Sequence, residues 1–283
     1  MNGFNLKNCA CFGVAGNFTG HLEQAGEALD FKNVKTLEEN APKALFPTYI
    51  PNINGNGKTP GFLGVFPFDS EKIIFPQNEQ KIQIEPECAV VFNVEWRGGK
   101  ICSLSPVCFG ASNDVSIRKA GAKKISVKKN WGKSSKGLSE NLISIETFDE
   151  NSILNGYRIA SFMVRGGNVF EYGEDSAVRD YSYIYEKLVK WIVEKLNFQK
   201  DEGPAENINS YLKESGFPGQ IMVSIGATRY TEFGERNFLL KGDKSAVVLY
   251  PENIYSAEEI KTLVQKNDFS DVRISFLVQE VVL

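Results

Sequence analysis

Apolar residues fall in short runs along most of the chain, and their period is mainly that of strands. Such runs occur at 8–14, 62–66, 72–75, 81–84, 89–94, 101–104, 125–127, 143–146, 158–164 and 169–172. Turn-forming residues separate them at spacings typical of a β-rich fold. Residues 46–62, rich in Pro, Gly and Asn, read as loop. The Gly166-Gly167 pair between two runs is a hairpin signal. Further strands are expected at 220–225, 245–249 and 272–281. Helical period is confined to a few places. Ile184, Leu188, Trp191, Ile192 and Leu196 form one stripe within 180–196. Residues 204–215 stop at Gly216, and Ser256 with Glu259 forms a capping box opening a helix to 265. The pattern predicts a mixed α/β, β-rich protein with a few covering helices. No period of 20–50 residues repeats, which excludes solenoids and propellers.

Composition narrows this little. The 283 residues are 42% hydrophobic and 24% charged, with a formal net charge of −3. That balance argues against nucleic acid as a partner. No apolar run reaches membrane-span length, and the start of the chain lacks the pattern of a signal peptide. The five cysteines are an odd number and there is a single histidine. Reduced thiols in a cytoplasm are expected, with the cysteines acting as small buried hydrophobes rather than zinc ligands. Eight basic residues lie within 118–136 without an acid. They read as a solvated rim or an attractor for anionic substrates.

The segment 84–91 carries the most chemistry. Glu85 and Glu87 flank Pro86 at the start of an apolar run, and period two places both on one face. Like charges there need a cation, a basic partner or solvent. Asp114 follows Glu87 by 27 residues, enough for a hairpin to return a third carboxylate to the same sheet edge. A hard divalent ion suits such a set. Lys133, in Trp131-Gly132-Lys133-Ser134, would balance charge beside it.

In order, Glu85-Pro-Glu87-Cys-Ala-Val-Val, Asn113-Asp-Val-Ser-Ile-Arg118 and Trp131-Gly-Lys133-Ser resemble motifs of the fumarylacetoacetate hydrolase superfamily. Residues 164–168 with the following helix, 219–228 and Leu240-Lys-Gly-Asp243 extend the likeness, as does the stretch from Gly13 to His21 and Glu23. The resemblance covers most of residues 11–250. Lys119 and Gly121 stand where the family pattern has Asp and Gln, and the turn Gly226-Ala-Thr228 lacks the family's proline. Residues 198–218 read as an insertion, and His21 and Glu23 are one residue closer than usual.

The resemblance implies a rolled mixed β-sheet fold in one domain over 1–283, with a lid-bearing segment at 1–75 and a catalytic core at 76–283. It implies Mg²⁺ or Mn²⁺ on Glu85, Glu87 and Asp114, with catalytic roles for His21, Glu23 and Lys133. Arg118 and Thr228 would bind substrate. The implied activity is hydrolysis at a C–C bond of a 2-oxo acid or 1,3-dicarbonyl compound, or decarboxylation of an oxo acid, by a homodimer. Isomerase or hydratase chemistry on unsaturated oxo acids, or a silent binding protein, are the alternatives. His21 sits in a Gly-flanked loop, which suits a mobile lid that delivers a base. Glu23 would orient its ring.

Overall fold

A computed structural model describes residues 4–31, 34, 36, 38–53, 57–79, 81–119 and 121–283. Strands dominate. A seven-stranded sheet runs in the order Ala44–Tyr49, Ala10–Ala15, Gln220–Ala227, Pro86–Arg97, Lys100–Asn113 and Gly137–Leu138, with Ile143–Ser144 also on Lys100–Asn113. A five-stranded sheet runs in the order Asn168–Ala177, Tyr157–Arg165, Lys244–Pro251, Ser275–Val282 and Lys72–Ile74. Ile82–Gln83 pairs with Ser116–Ile117. The mixed, β-rich expectation holds.

The long hairpin sets the register of everything that follows. Pro86–Arg97 and Lys100–Asn113 are joined by Gly98-Gly99, both at positive φ (57° and 73°), as a two-residue primed turn requires. Arg97 faces Lys100 at the turn, and Pro86 faces Asn113 at the far end. Register shifts at Val91/Phe92 and Glu95/Trp96 separate these ends. Each bulge adds a residue to one strand, and without them another residue would stand opposite Glu85. Here Asp114 N–H donates to Glu85 O (3.0 Å), and Glu85 N–H donates to Asn113 Oδ1 (3.1 Å).

The sheet is apolar on both faces because both are covered. Cys88, Val90 and Phe92 join Phe109, Tyr157, Ile159, Leu188 and Ile192 in the main core. Ala89 and Val91 point the other way, into a cluster with Cys9, Cys11, Cys108 and Met222. Each large side chain fully buried there contributes roughly 1.5–3 kcal/mol. All five cysteines are free; only Cys102 is exposed.

Several expected elements shift for physical reasons. The proline-rich stretch begins in the strand Ala44–Tyr49, at the sheet edge, with Pro47 beside a register shift, where its missing N–H does no harm. Residues 54–56 of that expected loop lie outside the described residues. The run at 62–66 forms the 3₁₀ turn Gly61–Gly64, and that at 125–127 forms the helix Ser126–Lys129. The helix expected from 180 starts at Tyr185, because Asn17 clamps Tyr183 through both its N–H and its carbonyl (2.9 Å each). The capping box at Ser256 and Glu259 is formed and opens the helix Ala257–Lys266. No helix among the described residues is long and apolar enough to cross a membrane.

Candidate active site

Glu85, Glu87 and Asp114 converge at one end of the hairpin. One oxygen from each lies within 4.8 Å of the others, and all three residues are buried. Glu87 reaches its place through a bulge opposite it. Gly226, at φ 120°, turns its N–H toward Glu87 Oε2 (2.9 Å). A Cβ at Gly226 would lie 3.0 Å from that of Asn17 and 3.3 Å from Val14 O.

Bases that the sequence reads as a solvated rim or an attractor for anionic substrates surround these acids. Lys129 Nζ touches Glu85 Oε2 and lies 2.7 Å from Asp114 Oδ2. Lys136 Nζ is 2.7 Å from Asp114 Oδ1 and donates to Val115 O. Arg118 is fully engaged. Its Nε donates to Gln83 (2.6 Å), Nη1 to Glu27 (2.8 Å) and Nη2 to Tyr230 Oη (2.7 Å), and Nη2 also lies 2.9 Å from Glu85 Oε1. Lys128 pairs with Glu27 (2.8 Å) and Asp30 (3.0 Å). Arg118, Lys128, Lys129 and Lys136 are thus interior counter-ions and not a solvated rim.

Burial raises carboxylate pKa values, and the neighbours decide the outcome. At Glu85, Lys129 and Arg118 outweigh burial and hold the carboxyl well below its ordinary range. At Glu87, burial and then the charge of Asp114 push it well above that range, and the Lys129 charge does not compensate. Burial lowers Lys136 to about 8 despite Asp114.

His21 is 5% exposed, the first residue of the short helix His21–Gln24 rather than a loop tip. Its Nδ1 lies 2.8 Å from Thr228 O. A carbonyl only accepts, so in the neutral ring Nδ1 carries the proton and Nε2 is the basic nitrogen. Burial lowers the ring pKa, partly offset by Glu85, which favours that neutral form. His21 lines a cavity of about 20 Å³ together with Glu27, Glu85, Glu87, Lys129 and Phe46. That is room for about one water-sized species. Gly13 makes one wall possible, since a Cβ there would come within 2.3 Å of the Phe46 ring.

Two expected residues stand elsewhere. Lys133 is exposed on the turn between Gly132 and Ser134 and does not reach the acids. Glu23 is exposed, two positions after His21 on the same short helix but facing solvent. Arg118 is at the cleft, but its donors are taken by protein partners. Thr228 is buried, and its backbone N–H donates to Pro86 O (3.2 Å) while its carbonyl meets His21. Sequence reading missed Glu27, Lys129 and Lys136. A run of bases inside an acidic chain was the available signal that acids elsewhere had to be their partners.

The donor set fits a hard divalent ion. It is all oxygen, and Glu85 Oε1 and Asp114 Oδ2 are buried without a hydrogen-bond partner; the nearby cations approach them out of hydrogen-bond alignment.

A family described as a family of unknown function (DUF5718) matches residues 27–281. No curated protein sequence matches the chain. Among solved structures, that of Cg1458 with inhibitor is 15% identical over 96% of this chain and 76% of that one, with TM-score 0.56. A 2-keto-3-deoxy-D-arabinonate dehydratase complexed with magnesium and 2,5-dioxopentanoate is 15% identical over 96% and 72%, TM-score 0.53. A 5-carboxymethyl-2-hydroxymuconate delta-isomerase from Mycobacterium smegmatis is 14% identical over 96% and 78%, TM-score 0.51. These likenesses show the fold, the one expected from the order of the motifs: that of the fumarylacetoacetate hydrolase superfamily.

Proposed function

This chain belongs to the DUF5718 family, and from that premise we propose that it is a Mg²⁺-dependent enzyme of small oxo acids, working as a homodimer. The observation that carries the reading is the buried convergence of Glu85, Glu87 and Asp114 beneath a histidine. The reaction is cleavage at a C–C bond of a 2-oxo acid or 1,3-dicarbonyl compound, by hydrolysis or decarboxylation. Isomerisation or dehydration of oxo acids is the second reading, favoured by the dehydratase and isomerase that share the fold.

Glu85, Glu87 and Asp114 would hold the ion, which when bound polarises a 2-oxo acid and stabilises an enolate. The chain's own groups do the rest. His21 Nε2 takes a proton from water or from carbon, while Thr228 O keeps its tautomer fixed. Lys136 adds positive charge where negative charge develops. Lys129 acts as a point charge, since Asp114 and Glu85 outweigh burial and hold it protonated. Arg118 positions Glu85 and Glu27 and leaves the substrate carboxylate to other groups.

The test is a panel of acylpyruvates, oxaloacetate, 2-keto-3-deoxy sugar acids and unsaturated oxo acids with Mg²⁺. Loss of enol absorbance with pyruvate release supports cleavage. Turnover restricted to the dehydration or isomerisation substrates supports the second reading. No turnover of any, by protein that binds Mg²⁺, removes both.

A further inference from the structure

The carboxylate triad already holds a cation that belongs to the chain. Lys129 Nζ faces oxygens of both Glu85 and Asp114, and the residue is 2% exposed. Its placement is built. The Ser126–Lys129 helix is pinned before Lys129 by Ser126 Oγ donating to Glu206 (2.9 Å). It is pinned after Lys129 by Asn130 Nδ2 donating to Thr48 O (2.8 Å) and Val65 O (3.1 Å). An ion bound by all three acids needs the oxygens Lys129 now faces. A dication and an ammonium a few ångströms apart in a buried site repel each other strongly.

We propose that Lys129 is a tethered placeholder for the divalent ion: it keeps the triad assembled without metal and swings aside when metal enters. Asp114 Oδ2, buried without an aligned hydrogen bond, lies 2.7 Å from Lys129 Nζ and is the oxygen that opens to the ion when the ammonium leaves. The lysine stem is flexible and its head compact. The Phe46 ring already lies 5.1 Å from Nζ, a cation–π contact that the ammonium makes in its present place beside the acids. This rests on the reading of the triad as a metal site. It makes metal uptake a competition inside the protein, so the wild-type chain holds its ion more weakly than three buried carboxylates alone would.

The test measures Mn²⁺ affinity, from the resonance signal of free Mn²⁺, for wild type, Lys129→Met, Lys129→Gln and Lys129→Arg. The two neutral variants are expected to bind Mn²⁺ about tenfold or more tightly, and the arginine variant to show no such gain. Unchanged or weaker binding by the folded neutral variants overturns the proposal. Should neither fold, wild-type protein carrying ¹⁵Nζ-lysine answers under Mg²⁺. Saturation that leaves every buried ammonium resonance unmoved overturns the proposal, and a shift supports it. Turnover of an oxo acid with unchanged Mn²⁺ affinity in the neutral variants sinks the placeholder alone. Tighter Mn²⁺ binding without turnover sinks the enzyme reading alone, and no metal binding by any form sinks both.

Discussion

Lys129 and Lys136 lie inside while Lys133, between them, lies outside, and the backbone of one turn makes the difference. Gly132 (φ 128°) and Ser134 (φ 53°) lift Lys133 into solvent. The chain then re-enters with Ser134 Oγ donating to Asp69 (2.7 Å). Lys133→Met is therefore expected to change stability by less than about 0.5 kcal/mol and to leave turnover intact. Lys136→Met leaves Asp114 short of a buried partner and is expected to lose about 3–5 kcal/mol in urea unfolding. Equal effects of the two variants would refute this assignment. His21→Ala is expected to abolish turnover and spare Mn²⁺ affinity, because the ring reaches the site only through its base nitrogen. Full activity in that variant would remove His21 from the chemistry. Sequence names His21 and the three acids that the structure brings together, because motif order and period two can be read along the chain. It chose Lys133 over its neighbours because the curl of a turn cannot.

Among the elements, the short helix Ser126–Lys129 and the segment 201–206 depend on each other. Glu206 is buried, its Oε1 accepts from Ser126 Oγ (2.9 Å), and its Oε2 has no hydrogen-bond partner. Burial, only partly opposed by that hydrogen bond, raises its pKa from 4.5 to about 7. Between those values the folded protein keeps a proton that the unfolded chain has released. Stability therefore falls as pH rises through this window, by at most about 1.4 kcal/mol per pH unit from this group. Glu206→Gln is expected to flatten melting temperature between pH 5 and pH 7.5, seen by calorimetry. An unchanged slope would rule Glu206 out as its source. The hairpin was half legible. The Glu87–Asp114 spacing and Gly98-Gly99 point to a return strand, but the two bulges that bring Asp114 opposite Glu85 leave no mark in the pattern. Residues 125–127 read as strand because Ile-Ser-Val alternates. The fold makes them helical by pairing Asn130 N–H with Ser126 O (3.0 Å).

Across the whole molecule, a strand near the start of the chain shares a sheet with one from its last quarter. Ala10–Ala15 pairs in parallel with Gln220–Ala227, and that strand pairs with Pro86–Arg97. Deleting residues 1–15 would strip one side of the strand that aims Gly226 at Glu87. The shortened chain is expected to lose cooperative unfolding, followed by circular dichroism on heating. A sharp transition near the full-length value would show that residues 1–15 are an accessory to an independent core. Strand-rich character and covering helices were readable because they depend on period alone. The pairing of a strand near residue 10 with one near residue 220 was not, since nothing in either run names its neighbour.

The mutual neutralisation of Glu27, Glu85 and Asp114 by Arg118, Lys128, Lys129 and Lys136 also constrains descent. An interior charge that loses its counterpart is costly, so these positions do not drift singly. A lineage that neutralises position 129 must neutralise an acid at 85 or 114 in company with it, or retain metal permanently in the vacated place. Change at one of these positions without change at its counterpart would then mark the branches in which the ion has become a fixed part of the fold.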